Sequence, residues 1–395
     1  MNKRYPDSLL KRGVVEVIIE DEMKKMLQSG KVLRLKQGFD PSRPDIHLGH
    51  IIGLRKLREF QELGHKVVLV IGDWTAQIGD PSGVSITRPM LSAEEVHKNA
   101  QTYLAQFFKI VDEKKTEVRW QSEWYKNWSL SDVMKISSKF TLAQFMARED
   151  FNNRYTSGRP IAIIELLYPM LQAYDSVAIE SSVEFGGSDQ KFNCLVGRDL
   201  QMAMGQKPQQ VLLVPLLVGT DGTHKMSKSL NNYIGITEEP QEMYGKVMSI
   251  PDNLILSYFE LITDISDEKL SEMKYQLETK SVNPMLLKQS LARDIVGQFH
   301  SKEQALLAEE NFSKVFQKKE LPDTMLEYKL PDNPVNIIDV LQESGVAKSR
   351  ADARRLIEQG AVDINDVKLN GKDTNLFPQS GCIIKVGKRR FIKIL

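Results

Sequence analysis

Apolar and polar positions follow two different periods along this chain, and each change of period marks an element. Val32-Leu33-Arg34-Leu35-Lys36-Gln37 reads as a short strand, after which Gly38 frees the backbone to turn. Ile51, Ile52, Leu54, Leu57, Phe60 and Leu63 then recur at helical spacing until Gly64, so a helix begins near Leu48–Gly49. The run Lys66 to Asp73 is apolar through its middle, the pattern of a buried strand. Strand, helix and strand at this spacing form a βαβ unit, which predicts a parallel sheet with ligands at the strand ends. Upstream, Val17, Ile18, Met23, Met26 and Leu27 make a broken apolar stripe and predict an amphipathic helix over 14–30.

Helical sequence dominates from 93 to 151, interrupted near Trp120–Trp128. Inside it, the apolar patch Phe140, Leu142, Phe145 and Met146 suits either a core stripe or a subunit interface. A helical run over 161–175 precedes a strand over 183–190 that ends in a glycine turn, and 211–218 is strand-like. Residues 231–319 read as all-helical, and Leu321–Pro334 is a proline-marked linker. Beyond it, helices are predicted at 337–341 and 351–357, with short strands at 362–364, 382–386 and 391–394. The fold class is α/β. We expect a Rossmann-like parallel-sheet domain over 1–230 with an inserted helical region at about 115–180. An all-helical domain over 231–330 and a small α+β domain over 335–395 complete the chain.

Length and composition narrow the class. A chain of 395 residues suits two to three domains, and 41% hydrophobic with 27% charged residues describes a soluble globular protein. No run approaches membrane-spanning length, and the first residues lack a signal-peptide core, so no membrane association is expected. Cys194 and Cys382 are too few and too isolated for a disulfide framework or a zinc site, which points to the reducing cytoplasm. From Val335 to Leu395 there are 11 Lys/Arg against 7 Asp/Glu, net +4, leaving 42 against 45, net −3, for the rest. A basic end on a mildly acidic body suits a nucleic-acid contact, and a solvated basic face explains it nearly as well.

Candidate chemistry concentrates at the helix start Asp45-Ile46-His47-Leu48-Gly49-His50. A helix N-terminus offers unpaired N–H groups and partial positive charge, so it suits a phosphate. Gly49 leaves room for a flat ligand, and His47 and His50 can donate to phosphoryl oxygens. Taken alone, two surface histidines on an ordinary helix explain this stretch at least as well. A second stretch answers it: Lys225-Met226-Ser227-Lys228-Ser229 follows Asp221-Gly222-Thr223-His224 in a polar loop and can clamp a polyphosphate. Between them lies the glycine-rich loop from Trp74 to Gly83, with Asp80, and Arg88 follows shortly after. Tyr168, Gln172 and Asp175 sit at i, i+4 and i+7 on one face of an otherwise apolar helix. Such groups need partners, and buried structural hydrogen bonds or a polar ligand supply them equally well.

GFDPSRPDIHLGH, IGDPSG, YPMLQAYDS, GGSDQ and KMSKS occur in that order and resemble the tyrosyl-tRNA synthetases of class I, more narrowly a divergent bacterial branch. The last part, SGVAKSRADARRLIEQGAVDIN through VGKRRFIKI, resembles a small RNA-binding domain shared with a protein of the small ribosomal subunit. The tryptophanyl relatives share the first and last catalytic signatures but lack the YxxxQxxD stretch. The resemblance implies tyrosine–tRNA ligase activity: L-tyrosine and ATP give tyrosyl-adenylate and pyrophosphate, and tyrosine then passes to tRNA(Tyr). It implies Asp80, Tyr168 and Gln172 around the tyrosine amino group, with Asp175 accepting the phenol O–H. Asp40, Gly187, Asp189 and Gln190 would line the tyrosine and ribose portions of the adenylate, with Gly38, Ser42, Gly49, Met226, Ser227 and Ser229 beside ATP. His47 and His50 would meet the phosphates, while Lys225, Lys228 and Arg88 close on pyrophosphate. Mg2+ would travel with ATP, with no dedicated protein cage for the metal. Ser349, Arg350, Arg354, Arg355, Lys388, Arg389 and Arg390 would contact tRNA, with 231–330 on the anticodon side and the region near 115–180 joining a homodimer.

Two positions depart from the pattern. Many relatives carry a tyrosine sharing the phenol contact where this chain has Lys36, and a lysine in the phosphate loop where it has Val84. The competing readings are a small-molecule adenylyltransferase and a non-catalytic RNA-binding protein on the same scaffold. The basic end and the YxxxQxxD set argue against the first, and intact His47, His50, Lys225 and Lys228 argue against the second.

Overall fold

Val67 to Ile71 are fully buried, as an all-apolar strand requires when both sheet faces are covered. In the computed structural model, which describes residues 7–42, 45–80, 91–314, 325–331, 333–371, 373–387 and 390–395, that strand lies inside a six-stranded sheet. Its strands are β1 (Glu16–Ile18), β2 (Arg34–Phe39), β3 (Lys66–Ile71), β4 (Thr116–Trp120), β5 (Val183–Gly187) and β6 (Gln210–Val214). Their order is β1-β6-β5-β2-β3-β4, with every pairing parallel except the edge pair β1–β6. Leu35 faces Val67 and Gly38 faces Val70, so β2 and β3 end together on one edge. The Rossmann-like expectation holds.

The described chain divides into two compact units, Met1–Glu238 with Ser249–Leu291, and Glu239–Met248 with Ala292–Leu395. In the second unit, the helices Pro240–Met248 and Lys302–Phe312 bring Tyr244 and Phe312 to a ring separation of 5.5 Å. The same unit holds a second sheet of β7 (Leu326–Tyr328), β8 (Val362–Ile364), β9 (Val367–Lys368), β10 (Ile383–Val386) and β11 (Arg390–Ile394), in order β7-β11-β10-β8-β9. The helices Ile337–Glu343 and Arg350–Glu358 share one core with it, built on Ile338, Leu341, Ile357, Ile384 and Ile392.

Several local expectations give way: Gly38, read as a turn, continues β2 opposite Val70. The helix expected over 14–30 begins only at Glu20, because Glu16–Ile18 pair with Leu213–Val211 as an edge strand. Thr116–Trp120, inside the stretch read as helical, is β4, whose Val118 pairs with Leu69 of β3. Leu326–Tyr328, inside the expected linker, is a strand parallel to β11. The Phe140–Met146 patch is divided: Phe145 is buried and Phe140 packs on the cluster of Ile136, Ala173 and Leu200, whereas Leu142 is exposed.

Candidate active site

The sheet changes winding direction between β2 and β5, and such switch points open a crevice beyond the strand ends. Gly38 and Phe39 of β2 and Gly186 and Gly187 of β5 border a cavity of about 430 Å³ there. Gly38, Asp40, Ser42, His47, Gly49, His50, Asp80, Tyr168, Gln172, Asp175, Gly187, Asp189, Gln190, Lys225, Met226 and Ser227 all border it. Lys228 and Ser229 belong to the same loop without forming its wall. Arg88, Val84, Lys388 and Arg389 lie outside the described residues.

His47 is the N-cap of the helix Leu48–Glu62, with extended backbone at φ −127°. Its Nδ1 accepts from the Gly49 N–H at 3.2 Å, and the His47 N–H donates to His50 Nδ1 at 3.2 Å. The expected unpaired N–H groups are therefore in use: Leu48 N–H donates to Ile234 O at 3.0 Å and His50 N–H to His47 O at 2.9 Å. What remains for a ligand is the imidazoles themselves. Burial drives both below the ordinary histidine value, His50 to about 4, with the nearby Lys228 charge adding to the effect. Each ring is neutral at pH 7, each Nδ1 accepts, and so each Nε2 carries the proton and is the donor. A Cβ on Gly49 would stand 3.0 Å from the His47 ring, so a larger residue there would press on the capping imidazole.

The lysine loop is held by groups far along the chain. Met226 N–H donates to Leu217 O at 2.7 Å, and Gly222 turns the tip with φ +79°. Asp221 accepts from the Thr223 and His224 N–H groups, which keeps its carboxyl low, at about 2. Buried Asn232 accepts from Ser227 N–H at 2.7 Å and donates to Lys225 O at 3.1 Å and Asp221 at 3.0 Å. Lys225 Nζ reaches Asp189 at 2.7 Å, and Lys228 Nζ donates to Asp45 O. An antiparallel bridge between His47 and Gly235 ties this segment to the histidine helix. The two signatures thus form one structural piece.

The opposite end of the cavity is a closed polar network. Asp40 accepts from Thr75 Oγ1 and from Tyr168 OH, each at 2.6 Å, and burial still pushes its carboxyl up to about 6. Gly72 is required here, since a Cβ would stand 2.2 Å from Asp40 Oδ1. Asp80 accepts from Gln190 at 2.8 Å and has the buried Arg148 guanidinium at 3.6 Å. Asp175 accepts from Gln121 Nε2 at 2.8 Å and Trp124 Nε1 at 3.2 Å, with Tyr125 OH at 3.3 Å. Burial raises its carboxyl to about 7. Lys36 is fully buried behind this wall, where Nζ meets Gln172 O at 2.8 Å, Ser176 Oγ at 2.7 Å and Glu184 at 2.8 Å.

Gln121, Arg148, Asn232 and Glu184 were not singled out by the sequence. The available signal for Gln121 was its place in the aromatic run Trp120–Trp128 that breaks the helical pattern. In the second unit Ser349 caps the helix Arg350–Glu358, accepting from Asp352 N–H at 3.2 Å. Arg350 pairs with Asp339, Arg355 with Asp352 at 2.5 Å, and Arg390 donates to Val346 O at 2.6 Å. Arg350, Arg354, Arg355 and Arg390 are exposed.

Comparison with known proteins agrees with this geometry. A family model described as tRNA synthetases class I (W and Y) matches residues 28–317, and one described as tyrosine–tRNA ligase SYY-like C-terminal domain matches 315–394. The tyrosine–tRNA ligase of Dehalococcoides mccartyi (strain CBDB1) is 61% identical over 98% of both chains. That of Carboxydothermus hydrogenoformans is 51% identical, covering 98% of this chain and 97% of its own. In fold, the crystal structure of tyrosyl-tRNA synthetase complexed with L-tyrosine from Archaeoglobus fulgidus matches with TM-score 0.63 at 23% identity, covering 76% of this chain and 98% of that one. This chain belongs to the class I tRNA synthetases (W and Y), and within them to the tyrosyl-tRNA synthetase family.

Proposed function

We propose that this chain joins L-tyrosine to the 3′ end of tRNA(Tyr) in two steps, using ATP. The observation that carries the reading is the single cavity bordered at one end by His47, His50 and Lys225, and at the other by Tyr168, Gln172 and Asp175. Phosphate chemistry and a phenol-sized polar pocket meet there, at about 430 Å³. In the first step the tyrosine carboxylate attacks the α-phosphorus and the α–β bridging P–O bond breaks, releasing pyrophosphate. The carboxylate is already ionised at neutral pH, so no general base is needed. Catalysis then rests on position and on donors that meet growing phosphate charge.

His47 and His50 offer two fixed Nε2–H donors without adding positive charge to the ground state. Lys225 and Lys228 supply the cations, and ATP has to draw them from Asp189 and Asp45. Mg2+ arrives on the ATP phosphates, held largely by phosphate oxygen and water. Asp80, Tyr168 and Gln172 receive the substrate ammonium, and Asp175 the phenol O–H. In the second step a ribose hydroxyl of the tRNA terminus attacks the acyl carbon and AMP leaves.

Residues 335–395 serve as a tRNA anchor, through the exposed Arg350, Arg354, Arg355 and Arg390 together with Lys388 and Arg389. Contacts of this kind go mainly to phosphates. Leu130, Met134, Leu142, Tyr155 and Ile163 are 63–82% exposed, a set of apolar side chains that supports a homodimer through this helical region. The cytoplasm is the compartment that supplies tRNA. The test is charging: labelled tyrosine, ATP, Mg2+ and bacterial tRNA should yield alkali-labile labelled RNA. Label that stays acid-soluble at micromolar enzyme would reject the reading.

A further inference from the structure

We propose that Gln121 reads the substrate's phenol oxygen directly, donating to it from Nε2 beside Asp175. The inference rests on the tyrosine reading above and names the specificity-determining residue that Lys36 cannot be. Lys36 has three protons, and Gln172 O, Ser176 Oγ and Glu184 take all three at 2.7–2.8 Å. It is also absent from the cavity wall, so it has neither the position nor a proton for a ligand.

The other polar groups on that wall are committed elsewhere. Thr75 and Tyr168 both direct their hydroxyl protons to Asp40. Gln172 gives one NH2 proton to Glu184 at 3.2 Å and, on the tyrosine reading, receives the substrate ammonium, away from the phenol. Trp124 and Tyr125 touch Asp175 but do not border the cavity. Gln121 does border it, and it is 1% exposed.

Its amide can face only one way. Oε1 accepts from Trp74 N–H at 3.2 Å and Thr75 N–H at 3.0 Å. Backbone N–H groups only donate, so the NH2 end must face Asp175, which it does at 2.8 Å. One proton of that NH2 goes to Asp175 Oδ2, and among the described residues no acceptor takes the second. The Tyr125 proton goes to Leu171 O at 2.6 Å, so Asp175 Oδ1 accepts from Trp124 Nε1 and Oδ2 from Gln121 Nε2, and the carboxylate keeps an open lone pair for an O–H. A phenol both donates and accepts. Its proton fits the open lone pair on Asp175, and its oxygen fits the second proton of Gln121. Phenylalanine would leave both buried groups unmatched, which is the stronger form of rejection.

The test compares tyrosine, phenylalanine and 4-aminophenylalanine in ATP–pyrophosphate exchange by the full-length enzyme, for wild type, Gln121→Met and Gln121→Glu. Gln121→Glu retains an acceptor for the Trp74 and Thr75 amides; beside Asp175 the two carboxyl groups share one proton, which leaves no second donor for the phenol, so it carries the comparison if Gln121→Met does not fold. The arylamine of 4-aminophenylalanine can donate to Asp175 but accepts poorly. Loss of one neutral hydrogen bond should lower the tyrosine-to-phenylalanine ratio of kcat/KM by about 3- to 10-fold. The tyrosine-to-4-aminophenylalanine ratio should fall similarly, with the KM for ATP unchanged. An equal fall on tyrosine and 4-aminophenylalanine would mean that Gln121 acts only through Asp175, and would overturn the proposal. A wild-type enzyme with no tyrosine-dependent exchange would instead overturn the underlying reading, separating the two failures.

Discussion

Replacing Lys36 by methionine removes the positive half of an ion pair whose side chains are 0% and 2% exposed, with Nζ and Oε1 2.8 Å apart. Breaking a buried pair on one side costs about 3–5 kcal/mol, because the remaining charge stays desolvated. The lower end applies here, since Glu184 keeps donors from Gln172, Ser176 and Gln209. We therefore expect about 3 kcal/mol of destabilisation for Lys36→Met, and less than about 1.5 kcal/mol for Lys36→Met/Glu184→Gln, which removes the orphaned charge. The four tryptophans, at 74, 120, 124 and 128, all lie in the first unit, so their fluorescence follows urea unfolding of that unit alone. With an m-value of about 3 kcal/mol/M, the midpoint should fall by about 1 M for the single variant. The damage should also reach tyrosine, because Lys36 grips the helix Ile163–Ala178 at Gln172 and Ser176, on either side of Asp175. A single variant within 1 kcal/mol of wild type, or a double variant less stable than the single, would refute the reasoning.

Burial raises Asp175 to about 7, with the Lys36 charge opposing it, so kcat/KM for tyrosine should climb as pH rises through about 7 while that for phenylalanine stays flat. The folded-state value lies above the unfolded 3.8, so this group's penalty is absent below about pH 4 and complete above 7. Relative to wild type, Asp175→Asn should accordingly gain about 2–3 kcal/mol of stability between pH 5 and 8, read by denaturation at both. Lys225→Ala and Lys228→Ala should each lower kcat of exchange while equilibrium tyrosine binding stays within about twofold; a parallel loss of binding would contradict a transition-state role. Arg354→Ala/Arg355→Ala should weaken tRNA charging and shallow its salt dependence while leaving exchange unchanged.

Much of the catalytic unit was legible because its elements carry their own signals. β3 is apolar after Lys66, and the helix Leu48–Glu62 shows its period over fifteen residues with its glycine stop just beyond, at Gly64. Tyr168, Gln172 and Asp175 could be aligned because helical spacing alone puts them on one face. What stayed hidden depends on partners distant in the chain. Glu16–Ile18 suits a helix until Leu213 supplies hydrogen bonds. The helix start looks open until Ile234 O takes the Leu48 N–H. Lys36 reads as a departure at the position where many relatives carry a phenol partner, and only Glu184, on the neighbouring strand β5, makes it a core residue. Only the break in the helical pattern at Trp120–Trp128 marks Gln121, and its role comes from β4 delivering it beside Thr75 and Asp175.

The cavity is proposed to accept tyrosine and to activate it with ATP. Pyrophosphate exchange measured separately with each of the twenty amino acids tests it most directly, because exchange requires both halves of the cavity and no tRNA. We predict strong exchange with tyrosine, with phenylalanine and tryptophan near background. Exchange driven by tryptophan, or equal for tyrosine and phenylalanine, would contradict the assignment of Asp175 and Gln121 to the phenol.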